Sequence, residues 1–568
     1  MCGIFSILNY ETHYTEQFIQ EQFQKGKGRG PEHSVFTKVD KKAIFGFHRL
    51  AINGLTNESS QPIIHNNIQL ICNGEIYNYK ELFQLIGETP TTQSDCEIIV
   101  WLYEKYGIEQ CLQMLDGVFA FILLDQRLEY NESRIYIARD PYGVRPLYSV
   151  HTSKTKHDII EELPIGFASE MKSLIDFTTT PDKSLHYEIK HFQPGSYSHY
   201  TISNNVHAQW IFTDQYVYHR TGFCTSSTFT EEEIIRNIQR YITSAVEKRC
   251  CTTERPIACL LSGGLDSSLI TALVCEFHKK RGLPKIETYS IGLEGSIDLK
   301  HARIVADYLG TQHIEIVLTE KDFCDAIPEV IEAIESYDTT SVRASIGNYL
   351  LGKYIAANSE AKVIFNGDGS DELLGGYIYL AKAPDAIEFD RECRRLLKDI
   401  HAFDVLRSDK SISSHGLEPR TPFLDRAWTQ FYLSIQPEMR FKPDQIEKYW
   451  LRKAFNPIHY ESFDGDALLP ASVLWRKKEA FSDGVTANER SLYQILQEHA
   501  LSVVDTDAHR NIHETHNPPK TAEQYYYRKI FETYYPRMGK IVPYFWMPKY
   551  VEATDASART LAHYSNKV

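Results

Sequence analysis

No C-x-x-C pair occurs in the 568 residues, and the 11 cysteines are odd in number and unevenly spaced. That pattern argues against a disulfide framework and fits reduced, mostly buried thiols in a reducing compartment. Long apolar runs are also missing. The longest, Val118–Leu124, falls far short of the roughly 18 residues that a membrane span requires. Basic excess is absent: the formal net charge is −14, which argues against non-specific nucleic-acid binding, because that needs basic faces to neutralise phosphates. The chain does not start with a basic segment followed by an apolar one, so no secretory signal is expected. Internal repeats and low-complexity tracts are lacking as well. The acidic balance suits a soluble cytoplasmic protein, and the length exceeds what one core accommodates, so two or three domains are expected.

What is present is organised around Leu260-Leu261-Ser262-Gly263-Gly264-Leu265-Asp266-Ser267-Ser268. Pro256–Leu261 has the length and continuity of a strand buried on both faces, and Ser267–Lys279 carries apolar residues at helical spacing. Glycines between a strand and a helix let backbone N–H groups converge on an anion at the positive end of the helix. A Walker-type loop would continue with Lys-Ser/Thr; here Asp266, Ser267 and Ser268 stand instead. A carboxylate beside a phosphate site implies a divalent metal between them, since bare like charges repel.

The first 210 residues offer many short β-type runs, among them Gly3–Leu8, Ile44–Phe47, Gln69–Cys72, Val118–Leu124, Ile135–Ala138 and Ile165–Ala168. A helical pattern covers Glu97–Tyr106 and is expected to stop at Gly107. Packed sheets flanked by helices follow. Removal of Met1 would leave Cys2 with a thiol and a free α-amino group of pKa about 7.7–8.0, and the amine can act as base for the thiol. Three clusters would complete a site. His48-Arg49-Leu50-Ala51-Ile52 ends a strand with a guanidinium suited to a carboxylate. Asn73-Gly74-Glu75, after another strand, pairs a side-chain amide with a backbone N–H for a developing oxyanion. Ser94-Asp95 adds a carboxylate which, with Glu75, suits an amino group. Each has a plainer reading alone: Asn-Gly as a turn, Ser-Asp as a helix cap, a strand-end Arg as a surface ion pair.

Together with Ala138–Tyr148, Ala168–Lys172 and Pro194-Gly195, these residues resemble a class II glutamine amidotransferase domain of N-terminal-nucleophile fold, an α+β sandwich layered α/β/β/α. The resemblance implies Cys2 as nucleophile, Asn73 and Gly74 as oxyanion hole, and glutamine held by Arg49, Leu50, Ala51, Ile52, Asn53, Asn73, Gly74, Glu75 and Asp95. The domain is expected over residues 2–210, with a polar, Thr/Ser-rich linker over 211–229.

From residue 230 to 568 a second domain is expected. Thr230 and Glu233 form a capping box for a helix to about Lys248. Strands at Glu287–Ile291, His313–Val317 and Val363–Phe365 alternate with helices at Lys300–Leu309, Asp322–Glu335 and Ala344–Ala357, which implies an α/β doubly wound parallel sheet with ligands at its carboxyl ends. After about Ala381 the chain reads as mainly helical. Tyr289-Ser290-Ile291-Gly292 offers an apolar backbone edge to an adenine. Asn366-Gly367-Asp368-Gly369-Ser370-Asp371-Glu372 packs three acids among glycines, which calls for a metal or an amine.

Ser262–Ser267 resembles the pyrophosphate loop of N-type ATP pyrophosphatases, and its combination with the first half is similar to the glutamine-hydrolysing asparagine synthetase family. Matches continue through Asp298–Arg303, Glu335–Asp338, Val342–Ser345, His415–Asp425, Trp475–Val485 and Asp555–Thr560. The resemblance implies synthesis of asparagine from aspartate, ATP and the ammonia of glutamine, through β-aspartyl-AMP, with AMP, pyrophosphate and glutamate released. It implies ATP contacts from Leu261, Ser262, Gly264, Asp266, Ser267, Ile291, Asn366 and Gly367, and Mg²⁺ beside Asp266 and Asp371. Lys478 and Asp368 would act in the chemistry, and Thr340 and Arg343 would line the aspartate and pyrophosphate region. The expected partners are L-glutamine, L-aspartate and ATP, with a homodimer as the candidate assembly and neither nucleic acid nor membrane. In the family a Glu usually stands where this chain has Asp368; the carboxylate is withdrawn by about 1.5 Å, one carbon–carbon bond. A β-lactam-forming relative would have no use for the Cys2 set, other class II amidotransferases lack the phosphate loop, and a non-catalytic sensor would not need both.

Overall fold

The computed structural model describes the chain apart from residues 41, 128–131, 154–162, 180–185, 204–207, 222–224, 479–483, 487–489, 505–514 and 558–568. Glu479–Asp483 of the Trp475–Val485 stretch and Ala558–Thr560 of the last motif therefore lie outside the described residues. The ten described cysteines are all free thiols. Among the described residues no helix is long and apolar enough to cross a membrane.

One compact unit comprises Met1–Arg220 with the short segments Thr252–Arg255 and Ser413–Leu417. Its β-branched and aromatic runs form β1 (Gly3–Leu8), β2 (His33–Asp40), β3 (Ala43–Arg49), β4 (Ile63–His65), β5 (Ile68–Ile76), β6 (Gly117–Asp125), β7 (Glu132–Arg139), β8 (Tyr148–Ser153), β9 (Ile165–Ala168), β10 (His186–His191), β11 (Ser196–Ser203) and β12 (Ile211–Val217). They make two sheets, ordered β10-β8-β9-β1-β3-β2 and β12-β11-β7-β6-β5-β4. The pairing is antiparallel throughout.

Alternation along the strands decides the layers. Ile4, Leu8, Phe45 and Phe47 of the first sheet share a core with Ile71, Ile122, Leu124, Ile135 and Ile137 of the second; burial of each such side chain is worth about 1.5–3 kcal/mol. The opposite face of the second sheet, with Leu70, Cys72, Phe119, Phe121 and Leu123, packs with helices Tyr79–Ile86 and Ile98–Met114. On the outer face of the first sheet, helix Glu16–Gln24 lays Phe23 over Gly46, where a Cβ would come within 2.5 Å of the ring. The order is helix, sheet, sheet, helix.

Two expectations change here. Gly107 does not end its helix: at φ 78 it kinks Ile98–Met114, and a further helical stretch follows. The stretch expected as a linker over 211–229 begins as a strand, because β12 pairs with β11 as an edge strand exposed on both faces. An edge strand needs no apolar face, so Thr213, Asp214 and Gln215 read as a linker in the sequence.

The other unit comprises Thr221–Cys251, Pro256–Ile412 and Glu418–Val568. Its sheet contains β13 (Ile257–Leu260), β14 (Glu287–Leu293), β15 (Gln312–Leu318), β16 (Val363–Phe365) and β17 (Glu418–Arg420), all parallel, in the order β15-β14-β13-β16-β17. The strand order reverses between β13 and β16, the place where open α/β sheets bind ligands. Helix Glu231–Cys251 starts at the Thr230–Glu233 capping box.

The helix expected over Asp322–Glu335 divides into Glu320–Asp325 and Ile327–Ile334, because Pro328 has no N–H to continue the ladder and suits a first turn. Beyond Ala381 the chain is mainly helical, yet β17 adds a buried edge strand that its three residues and Pro419 conceal in the sequence.

Candidate active site

In the first unit the residues expected to hold glutamine gather at the end of β3 and along β5. Cys2 Sγ lies 3.6 Å from the Leu50 carbonyl oxygen, and the Cys2 carbonyl accepts from Arg29 Nε at 3.0 Å. Asn73 and Gly74 do not form a turn after a strand. They sit inside β5, opposite Ala120 and Phe119 of β6, and a Cβ at Gly74 would come within 2.7 Å of the Val118 carbonyl oxygen. The Asn73 side chain is fully buried, and neither its Oδ1 nor its Nδ2 has a hydrogen-bond partner. A buried amide left unpaired at both ends costs roughly 1–3 kcal/mol per group.

Glu75 and Asp95 are both buried and joined through Asn53, whose Nδ2 donates to Glu75 Oε2 at 2.7 Å and Asp95 Oδ1 at 3.3 Å. Asp95 Oδ2 accepts from the Ile76 backbone N–H at 2.7 Å, and Ser94 makes no side-chain capping hydrogen bond, so Ser94-Asp95 is not simply a helix cap. Arg49 is buried too and is no surface ion pair. Its guanidinium donates to the Thr56 carbonyl at 2.8 Å and to that of Gly54, so part of its donor set already shapes the loop. Burial pushes its pKa down, with Cys2 and Glu32 opposing.

Three residues that the sequence did not flag hold this loop. Ala51 N donates to Glu32 Oε2 at 2.7 Å, the Ala51 carbonyl accepts from Arg255 Nε at 2.9 Å, and Arg255 pairs with Glu32 at 2.7 Å. Gly54 N donates to Glu254 Oε1 at 2.7 Å. Glu254 and Arg255 are some 200 positions away, and no local pattern announces them.

In the second unit a cavity of about 320 Å³ opens at the switch point between β13 and β16. Every residue expected there lines it: Leu261, Ser262, Gly264, Asp266, Ser267 and Ile291, then Thr340, Arg343, Asn366, Gly367, Asp368, Asp371 and Lys478. The loop after β13 is closed by its own hydroxyls, with Ser262 Oγ 3.0 Å from Ser267 Oγ and Gly264 N donating to Ser262 Oγ at 3.3 Å. Gly263 requires its lack of a side chain. Its φ is 73, and a Cβ would meet the Ala302 backbone nitrogen at 2.4 Å. Gly264 caps helix Leu265–Lys280, and Leu265, Asp266 and Ser267 of its first turn line the cavity. Arg476, not anticipated, braces the loop by donating to the Gly263 carbonyl and Asp298 Oδ1, both at 3.0 Å.

The acids on the far wall sit in distinct charge settings. Asp266 and Asp371 converge on one ammonium, that of Lys448, at 2.6 and 2.5 Å, and Lys478 pairs with the other oxygen of Asp371. Burial alone would raise the Asp371 carboxyl, but Lys448 and Lys478 hold it well below the usual carboxylate range. Lys448 escaped the sequence reading because Glu447-Lys448-Tyr449 matches no phosphate or metal pattern. Burial pushes the Asp368 carboxyl up, opposed by Arg407, whose NH2 lies 3.2 Å from Asp368 Oδ1; Asp368 Oδ2 is buried with no hydrogen-bond partner. Glu372 is raised well above its ordinary value by burial and by Asp404, and Tyr377 OH donates to it at 2.5 Å.

Arg343 departs most from expectation. It lines the cavity, but its guanidinium is taken up by Glu523 and Asp555, with contacts of 2.5 to 2.8 Å. Arg343 therefore meets a substrate anion only by sharing donors already in use.

No group of three or more His, Cys, Asp or Glu side chains among the described residues is arranged to hold a metal. Two carboxylates with a nearby phosphate suit Mg²⁺, which keeps waters and binds through one or two acids plus substrate oxygens. Asp266 Oδ1, buried on the cavity wall without a hydrogen-bond partner, fits that demand.

A glutamine amidotransferase domain model matches residues 1–211, and an asparagine synthase model matches 237–388 and 381–546. An asparagine synthetase [glutamine-hydrolyzing] of Gallus gallus is 41% identical over 585 residues, covering 100% of both chains. The proteins of the same name from Pongo abelii and Homo sapiens are 40% and 39% identical, again over 100% of each chain. Among solved structures, an NH3-dependent NAD synthetase from Campylobacter jejuni covers 25% of this chain and 60% of its own at 21% identity and a TM-score of 0.19.

Proposed function

Because this chain belongs to the glutamine-hydrolysing asparagine synthetase family, which makes asparagine from aspartate at the expense of ATP and glutamine, we propose how its own residues divide that work. The first unit, read as an N-terminal-nucleophile glutaminase, releases ammonia. With Met1 removed, the α-amino group of Cys2 takes the thiol proton and Sγ attacks the glutamine amide carbon. The Asn73 amide and the Gly74 N–H stabilise the oxyanion, Glu75 and Asp95 receive the α-ammonium, and Arg49 receives the α-carboxylate. The unpaired, buried Asn73 amide supports this assignment.

The second unit activates aspartate. Ser262, Gly264 and Ser267 cradle the β- and γ-phosphates at the helix start, and Leu261, Ile291, Asn366 and Gly367 hold the adenosine part. The side-chain carboxylate of aspartate attacks the α-phosphorus, pyrophosphate leaves, and ammonia then displaces AMP from the acyl carbon. Lys478 stabilises phosphate charge as it shifts in the first step. Asp266 and Asp371 would hold Mg²⁺, which supplies charge neutralisation on the phosphates when bound. Thr340 lines the same wall. The carrying observation is that residues from five separate stretches of chain, from Leu261 to Lys478, meet around one cavity at the sheet's switch point. The reading extends to a cytoplasmic setting, supported by the free thiols and acidic charge, and to a homodimer, which sedimentation of the purified chain tests directly.

Purified protein given ATP, Mg²⁺, aspartate and either glutamine or ammonium is expected to yield asparagine, AMP and pyrophosphate in equal amounts. ADP and phosphate as products, or no asparagine from ammonium, would overturn the assignment of the second unit. Asp368→Glu is expected to preserve or raise the synthesis rate, by no more than about a hundredfold, the scale set by a misplacement of one bond length. A collapse in rate at unchanged melting temperature would show that the local backbone has adapted to the shorter acid.

A further inference from the structure

Asp266, Lys448, Asp371 and Lys478 stand as an alternating row of charges along one wall of the nucleotide cavity. Lys448 is the buried link. Its Nζ donates to Asp266 Oδ2 at 2.6 Å and to Ser370 Oγ at 2.8 Å, lies 2.5 Å from Asp371 Oδ1, and belongs to a side chain only 2% exposed.

The chain accepts two local costs to place this ammonium. Lys448 adopts φ 59, the left-handed region, which is unfavourable for a residue with a side chain. Gly376 leaves the space beside it: a Cβ there would lie 2.0 Å from Asp371 Oδ1 and 2.1 Å from Lys448 Cε. The electrostatic reason is direct. Two carboxylates converging on one point repel each other unless a cation stands between them, and an unpaired buried charge is strongly destabilising.

Those two acids are also the ones read above as facing Mg²⁺, and the inference rests on that reading. We infer that Lys448 is a built-in counter-ion: standing between Asp266 and Asp371, it holds them in place while the site lacks nucleotide, and it gives them up to the divalent cation that arrives with ATP. Ammonium and metal compete for the same carboxylates. Once displaced, Lys448 remains on the cavity wall as a second positive charge toward pyrophosphate, beside Lys478. The exchange keeps the charge near neutral at each stage, so the empty site neither repels the nucleotide nor loosens.

The test is calorimetric titration of Mg²⁺ alone, without nucleotide, into full-length wild type, Lys448→Gln, Lys448→Arg and the Lys448→Gln/Asp371→Asn double variant, with thermal unfolding alongside. Lys448→Gln is expected to bind Mg²⁺ about tenfold more tightly than wild type or tighter still, and to lose melting temperature that Mg²⁺ restores. Lys448→Arg, which keeps the charge, is expected to bind as weakly as wild type, and the double variant to lose the gain. If Lys448→Gln folds only with Mg²⁺ present and unfolds in chelator, the counter-ion role is supported outright. Equal affinity in wild type and Lys448→Gln, with Asp371→Asn still removing it, overturns the counter-ion role alone. Tight binding by Lys448→Arg does the same. Mg²⁺ binding that ignores Asp371, or none in any variant, overturns the metal reading and the inference with it.

Discussion

Cys2→Ala is expected to reduce glutamine-dependent asparagine synthesis by at least about a thousandfold, while synthesis from ammonium stays within about twofold of wild type. The first figure follows from the chemistry: without the thiol no acyl-enzyme forms, and what remains is the residual action of an oxyanion hole and bound substrate. The second follows from the way the chain divides. Cys2, Asn73, Glu75 and Asp95 all belong to one compact unit, and every residue assigned to ATP and aspartate belongs to the other. The substitution is mild structurally, because Cys→Ala removes a single heavy atom and the contact of the Cys2 thiol with the Leu50 carbonyl is long, at 3.6 Å. Glutamate release and asparagine formation, measured in parallel with each nitrogen source, decide the matter. Loss of both activities at an unchanged melting temperature would mean that Cys2 supports the synthetase unit and is not the nucleophile.

Lys478→Ala is expected to lower kcat for asparagine synthesis from either nitrogen source by about a hundredfold to a thousandfold, the usual cost of one charge-stabilising donor, with a much smaller change in KM for ATP. Lys478 contacts Asp371 and lies over the Tyr377 ring, 5.6 Å from its centre, so it is held without being locked. Its removal leaves Asp371 paired with Lys448 at 2.5 Å, and the fold should tolerate it. Lys478→Arg is expected to recover little, since a planar guanidinium replaces a compact point charge at a place shaped for the latter. Glutamine hydrolysis, which belongs to the other unit, serves as internal control. A loss confined to KM for ATP would assign Lys478 to ground-state binding, and an unchanged rate would remove it from the chemistry.

Much of the fold and of the candidate site is legible in the sequence alone. β1, β9 and β16 fall on the residues their apolar runs indicate, because short strands buried on both faces leave a largely apolar run. The loop after β13 announced itself through glycines that backbone geometry demands, and Gly263 at φ 73 is that demand made visible. Where burial is weak the signal inverts: β12, exposed on both faces, reads as a linker. β17 is buried but reads Glu-Pro-Arg, two charged residues around a proline, where β16 of the same length reads Val-Ile-Phe.

The sequence by itself determined the chemistry-bearing groups and their order along the chain: a thiol at position 2, an amide and two acids after it, and a strand–glycine–helix loop followed by acids and a late lysine. Local physics suffices for these, since a strand end, a helix start or a glycine turn is specified by its immediate neighbours. Only the tertiary structure decided which charges meet. That Arg343 is taken up by Glu523 and Asp555, that Glu254 and Arg255 hold the loop beside Cys2, and that Lys448 stands between Asp266 and Asp371 depend on contacts across many positions. Coulomb energy depends on separation in space, and no spacing along the chain encodes it.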